Sequence, residues 1–371
     1  MNNDQIEFNK TLNMNRKNSS IKNCIWGGDD CSGKIIDAHS IQRGKILSAI
    51  ADNGKIYHLG LQPSEDMDEM GVIFKPEGIK KFSTFTGFCG FHDKNVFQPI
   101  EDVTFIGSDE QKHIYAYRAV TKELHANLES VNFHANLLGD KLHDKETPAH
   151  LTMTLPDILK GTIGVPDYIK DFILDGVKND LIRQKYKHSE MNVIELQSIS
   201  DFIKHCLLTK NYTGLIHKYH YFHEEFPLAC SSSFIPYFDF EGNSIISKEQ
   251  MHSLSIKTTQ NPSESLNVFL NIFPENGKTH ILFSYFPCNE QFSLSIERLF
   301  QQEECRIKTS LSNLILNYVE NIAFNPYYIE NYFSTTEIEN IKSAFIDNML
   351  KTDIFTNVNI NLFVNRDITK F

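Results

Sequence analysis

The sequence predicts an α+β protein: a compact metal-stapled module, a mainly helical middle and an α+β C-terminal domain. Three observations lead there. Cys24, Cys31 and Cys89 sit in polar, glycine-rich turns, unlike the other cysteines, which lie among apolar residues. Apolar residues recur at helical period through much of 106–225, and from Phe226 onward short strand-like runs give way to helical patterns. At 371 residues the chain is too long for one ordinary core, which implies two or three domains.

Residues 1–22 are polar and read as a flexible arm with no secretory signal. Residues 23–105 form the candidate module. Within it, 34–41 and 55–61 read as strands, 42–54 as a helical turn closing on Asn53-Gly54, and 63–71 as an acidic surface loop. In 106–225 helices are expected over 111–138, from the Pro-Asp pairs at 156–157 and 166–167, and over 193–208. In 226–371, strands are expected over 232–242, 252–259, 266–274 and 279–287. Helices follow over 294–304, 310–324 and 334–350, with Ser334 or Thr335 and Glu337 as the cap of the last, and a closing strand over 358–364.

Composition narrows the function. Apolar content of 41% is that of a globular chain, and no apolar run approaches the roughly 20 residues of a membrane helix. No membrane partner is expected. Seven cysteines, an odd count in a large chain, argue for a reducing cytoplasm, with Cys206, Cys230, Cys288 and Cys305 as small buried hydrophobes. A net charge of -11 disfavours non-specific nucleic-acid binding, although residues 1–60 carry eight basic against six acidic side chains. No phosphate-binding glycine loop, Ser-His-Asp signature or dinucleotide fingerprint is present.

The chemistry-bearing constellation is Cys24 and Cys31, then Asp37-Ala-His39, then Cys89-Gly-Phe-His92-Asp93. Two sulfurs around one turn and a later Cys-x-x-His pair supply four ligands for a tetrahedral zinc. The six residues between Cys24 and Cys31 exceed the usual spacing, and Gly27-Gly28 makes a wide loop feasible. Without zinc, the same residues would be buried thiols beside a surface histidine.

Ala38-His39-Ser40-Ile41 followed by Cys89-Gly-Phe-His92-Asp93 resembles the HNH, or His-Me finger, group of treble-clef zinc nucleases. The resemblance covers about residues 23–105. Cys-Ser-Gly-Lys-Ile-Ile, Ala-His-Ser-Ile-Gln and the Phe-Cys-x-x-His-Asp segment are also similar to uncharacterised bacterial proteins, some of which look like components of phage-defence loci. The resemblance implies a ββα zinc module and a metal-dependent endonuclease acting on DNA or RNA. It further implies His39 as general base, Asp93 and Asp37 as ligands of a catalytic Mg²⁺ or Mn²⁺, and a remainder of the chain that senses a trigger or docks a partner. The pattern also departs from the family: Ala38 separates Asp37 from His39, Asp93 replaces the last histidine, and the family's middle asparagine has no clear counterpart. A non-catalytic interaction or ligand-sensing protein with a structural zinc module, acting with a protein partner or as a homo-oligomer, is the alternative.

Weaker features are His217, His220 and His223, read as a solvated helix face with a metal site as the alternative, Asp239 and Glu241 as a strand entering a turn, and Arg118 with Lys122 as a salt-bridged helix face near Glu123, with a phosphate contact as the alternative.

Overall fold

A computed structural model describes residues 3–63, 70–247, 249–251, 258–350 and 355–364. Most of the acidic loop expected over 63–71 and of the strand expected over 252–259 lies outside the described residues.

The chain is mixed helix and sheet. Its centre is a seven-stranded antiparallel sheet, and the reason lies in β7 (Val268–Glu275) and β8 (Lys278–Tyr285). These strands are apolar on both faces, so they must be covered on both sides. Val268, Leu270, Ile272, Ile281, Phe283 and Tyr285 point into one core, which is closed by α7 (Glu290–Phe300), α8 (Glu304–Tyr318), α9 (Pro326–Tyr332) and α10 (Thr335–Leu350). Phe269, Phe273, Leu282 and Phe286 point into the other. That second core is covered by α4 (Asp109–Leu138) and α6 (Asp167–Thr209).

The strand order is β3-β2-β9-β6-β7-β8-β5, with β2 Lys55–Pro63, β3 Met70–Gly78, β5 Ile216–Phe222, β6 Leu228–Phe234 and β9 Ile322–Phe324. Tyr57 of β2 pairs with Phe324 of β9, so hydrogen bonding crosses the boundary expected near residue 105. Asp52 and Lys55 pair around Asn53 and Gly54, both at positive φ, as the Asn-Gly signal requires.

A separate pair, β1 (Ile35–His39) and β4 (Thr84–Cys89), runs antiparallel and leads into α3 (Gly90–Glu101). Ile36 pairs with Phe88 but Ala38 with Phe85, so β4 carries one extra residue at Thr86-Gly87. A Cβ on Gly87 would meet the Phe85 ring at 2.6 Å, and that ring is buried.

Several expectations are corrected. The N-terminal arm is helical over α1 (Asn3–Ser19) and its end is tied to α4 by Asn136 Nδ2 donating to Ser19 Oγ at 3.2 Å. The two helices expected at 166–186 and 193–208 are one helix, α6. It lies antiparallel to α4, since Asn127 meets Asn192 while Ser130 meets Ser189. Pro156 is inside α5 (Ala149–Leu159) instead of starting it. The apolar run at 322–324, assigned to a helix, is β9, because a central sheet position needs the same residue types as a buried helix. Residues 358–364 form no strand, although Leu362 and Phe363 are buried. Cys288 and Cys305 are exposed, whereas Cys206 and Cys230 are buried as expected. No helix among the described residues is long and apolar enough to cross a membrane.

Gly87→Ala should destabilise the protein by about 1–3 kcal/mol, the range for overpacking a filled core. Denaturant unfolding checks this, and an unchanged midpoint would mean that β4 can relax around the added methyl.

Candidate metal centre and its surroundings

Cys24 lies on a segment running beside β4, with Asn23 N bonded to Thr86 O and Ile25 N to Gly87 O. The β4 irregularity therefore receives the first ligand strand. The chain then reverses through Gly27 (φ 61°) and Gly28 (φ 110°), conformations that residues with a Cβ rarely adopt. This turn returns Cys31 toward Cys24 across the long gap. Cys89 ends β4 and caps α3, its Sγ accepting from His92 N at 3.5 Å. One helical turn carries His92 to the same point.

The four residues converge, with one potential ligand atom from each within 4.8 Å of all the others. His92 Nδ1 lies 3.3 Å from both Cys24 Sγ and Cys89 Sγ. Cys24, Cys89 and His92 are buried and Cys31 is half-buried. This Cys3His group can hold a metal such as zinc. Burial pushes the Cys24 thiol up to about 11. Burial also opposes the Cys89 thiolate, but donors from Ser32 and the His92 amide outweigh it and bring Cys89 down to about 5. One sulfur is thus prepared as an anion, and a cation would stabilise the others as thiolates.

Sequence reasoning missed the residue that aims the imidazole. His92 Nε2 lies 3.1 Å from Asp30 Oδ1, which leaves Nδ1 facing the sulfurs. A carboxylate on the far nitrogen fixes the tautomer of a metal-bound histidine and raises its basicity. The adjacent aspartates at 29 and 30 carry no spacing that would single out Asp30.

His39 is not part of this group. It ends β1 half-buried, with Nε2 3.0 Å from the Ile79 carbonyl. A carbonyl only accepts, so Nε2 carries the proton and Nδ1 the lone pair. Burial lowers its pKa, and the cations Arg43 and Arg118 act in the same direction. Asp37 is exposed and Ala38 buried, so Asp37 and His39 share the outer side of the strand as expected.

Asp93, in the first turn of α3, is half-buried, and its Oδ1 has no hydrogen-bond partner. Burial raises its carboxyl to about 6 against the pull of Arg118. Arg118 is 1% exposed, ion-paired with Glu101 and stacked 4.0 Å over Phe97, with Nε and Nη1 unpartnered. Arg118 is salt-bridged as expected, but to Glu101 across the fold and not along an α4 face near Glu123, because α4 is covered both by the module and by the sheet. His39 and Asp93 share Arg118 and Glu101 as charged neighbours. Asp37, His39 and Asp93 do not gather as a second set of metal ligands among the described residues.

The histidine face is also corrected. His217 and His220 lie on β5, where residues three apart point to opposite sides, and His223 follows the strand. His217 instead packs on His113 of α4, Nε2 to Nδ1 at 3.0 Å. Asp239 does sit in a turn, its Oδ1 accepting from Glu241 N and Asn243 N.

Comparisons with protein-family models, curated proteins and solved structures find no match for this chain.

The purified protein should carry one zinc, and Cys89→Ser should lose it. Asp30→Ala should keep the fold but weaken zinc affinity about 10- to 100-fold, the usual effect of removing such a partner. Competition with a chromophoric chelator measures this, and an unchanged affinity would remove Asp30 from the site.

Proposed function

We propose that this chain is a nucleic-acid endonuclease in which a structural zinc on Cys24, Cys31, Cys89 and His92 supports a catalytic His39. The observation that carries this reading is His39 itself: outside the Cys3His group, at the end of β1, with its tautomer set by the Ile79 carbonyl. The order β1, β4, α3, with two potential ligands at the β4–α3 junction, is in keeping with the ββα module of the HNH group.

In this reading His39 Nδ1 removes a proton from water, and the resulting hydroxide attacks phosphorus as the P–O bond to the leaving oxygen breaks. Burial keeps the imidazole neutral near pH 7, as a base requires. Asp93 is the carboxylate available to a divalent ion, which commonly takes one or two carboxylates and completes its shell with water and phosphate. Asp37 does not join it, so the residues present do not make a complete Mg²⁺ or Mn²⁺ site. A role in phage defence in the cytoplasm, with the helical and C-terminal regions sensing a trigger, rests on the sequence resemblance alone.

That incomplete ligand set favours a second reading, a non-catalytic interaction or ligand-sensing protein in which the zinc is purely structural.

His39→Ala should lower cleavage of plasmid DNA or structured RNA in Mg²⁺ or Mn²⁺ by about 10²- to 10⁴-fold, the usual worth of a general base. Zinc content and folding should stay unchanged. Loss of zinc in this variant, or no cleavage by the parent protein, would favour the second reading. The base must be unprotonated to act, and burial holds His39 below the ordinary imidazole value of about 6.5. The pH–rate profile should therefore be flat above about 6.5 and fall on the acid side. An acid limb centred well above pH 7 would rule out this assignment.

A further inference from the structure

A cavity of about 450 Å³ lies between α4, α6, β6 and the segment after α8. Its size is that of a small-molecule site. We propose that it binds a small organic amine in its protonated form, independently of the endonuclease reading.

The first support is charge. Glu123 of α4, Glu195 of α6 and Glu320 line the cavity, and Lys122 is the one ammonium or guanidinium group lining it among the described residues. Glu123 is half-buried, and burial raises its carboxyl, with Glu320 adding to the shift and Lys122 opposing it. Glu320 is exposed, and two carboxylates that repel each other around one ammonium leave uncompensated negative charge along the lining. His188, the remaining titratable side chain facing this space apart from Tyr237 and Tyr318, has its pKa lowered by burial and by Lys185, so it adds no cation near neutral pH. A phosphate or carboxylate ligand would add to the excess charge. A protonated amine would neutralise it.

The second support is independent of the acids. Ser231 of β6 lines the cavity, is 3% exposed, and its Oγ has no hydrogen-bond partner. A buried hydroxyl without a partner costs free energy that a ligand group or an ordered water can recover. Asn127 and Asn192, bonded to each other across α4 and α6, add amide groups to the wall. Acceptors thus surround a space large enough for an aliphatic polyamine or an amino sugar. Glu195 is engaged by Ser265 and Asn267, and Glu123 Oε1 accepts from Asn127 Nδ2 at 2.9 Å, which leaves Glu320 and the remaining acceptor capacity of Glu123 as the recognising pair.

Isothermal titration of the full chain with putrescine, spermidine and kanamycin, at physiological ionic strength, tests the proposal. At least one should bind saturably and one-to-one. Glu123→Gln with Glu320→Gln should weaken it by about tenfold or more, equivalent to about 1.4 kcal/mol. This double variant removes a repulsion, so its thermal unfolding should occur no lower than the parent's. Ala126→Trp, which fills the cavity from α4, should abolish binding. The proposal is overturned if none of the three amines binds. It is equally overturned if the double variant binds as tightly as the parent, which would assign the affinity to the acidic surface. Binding of inorganic phosphate or ATP at the cavity would contradict the charge argument.

Discussion

The convergence of Cys24, Cys31, Cys89 and His92 is the constraint on which the N-terminal third depends. β1 and β4 form only a two-stranded ribbon, which is marginal in water without further support. Two things supply it. One is the four-ligand group, which ties the 24–31 loop to the start of α3. The other is the aromatic contact of Phe88 and Trp26 with Tyr117 of α4. A zinc held there would add folding free energy on the order of 10 kcal/mol to the core that this module shares with α4 and the sheet. The extra residue in β4, the double-glycine turn and the thiol-capped helix all serve to bring four side chains to one place.

α4 joins this module to the rest of the molecule. Its central residues from Ile114 to Thr121 are buried without interruption, because one side meets Phe88 and Phe97 while another covers the sheet at Phe273. That explains why a helix with little amphipathic contrast is so long. It also explains the burial of Arg118, whose charge is sustained by Glu101 and the Phe97 ring. Removing Glu101 would leave Asp93 as the nearby acid, and because Glu101 is partly exposed the loss should fall below the about 3–5 kcal/mol of a fully buried pair. One turn further on, Lys122 and Glu123 face the cavity, so the same helix carries residues of both polar regions.

Much of this was legible in the sequence. The four potential ligands could be named because thiols in glycine-rich polar turns, followed by a Cys-x-x-His pair, have few uses besides metal binding. Most of α4, most of β7 and β8, and the Asn53-Gly54 turn followed from periodicity and turn chemistry. What was not legible depended on the partner of a segment. His217 to His223 fit either period, and pairing with β8 decided for a strand. The 322–324 run looked like a helix end until its place between β2 and β6 is known. Asp30, the buried Arg118 and the acidic cavity arise from contacts between distant segments, and no local pattern marks them.

The metal at the Cys3His group is the feature most directly open to measurement. Zinc-edge X-ray absorption of the purified full-length protein should give a first shell of three sulfurs at about 2.3 Å and one nitrogen at about 2.0 Å. A shell of oxygen and nitrogen alone, or a folded protein that binds no zinc, would contradict it.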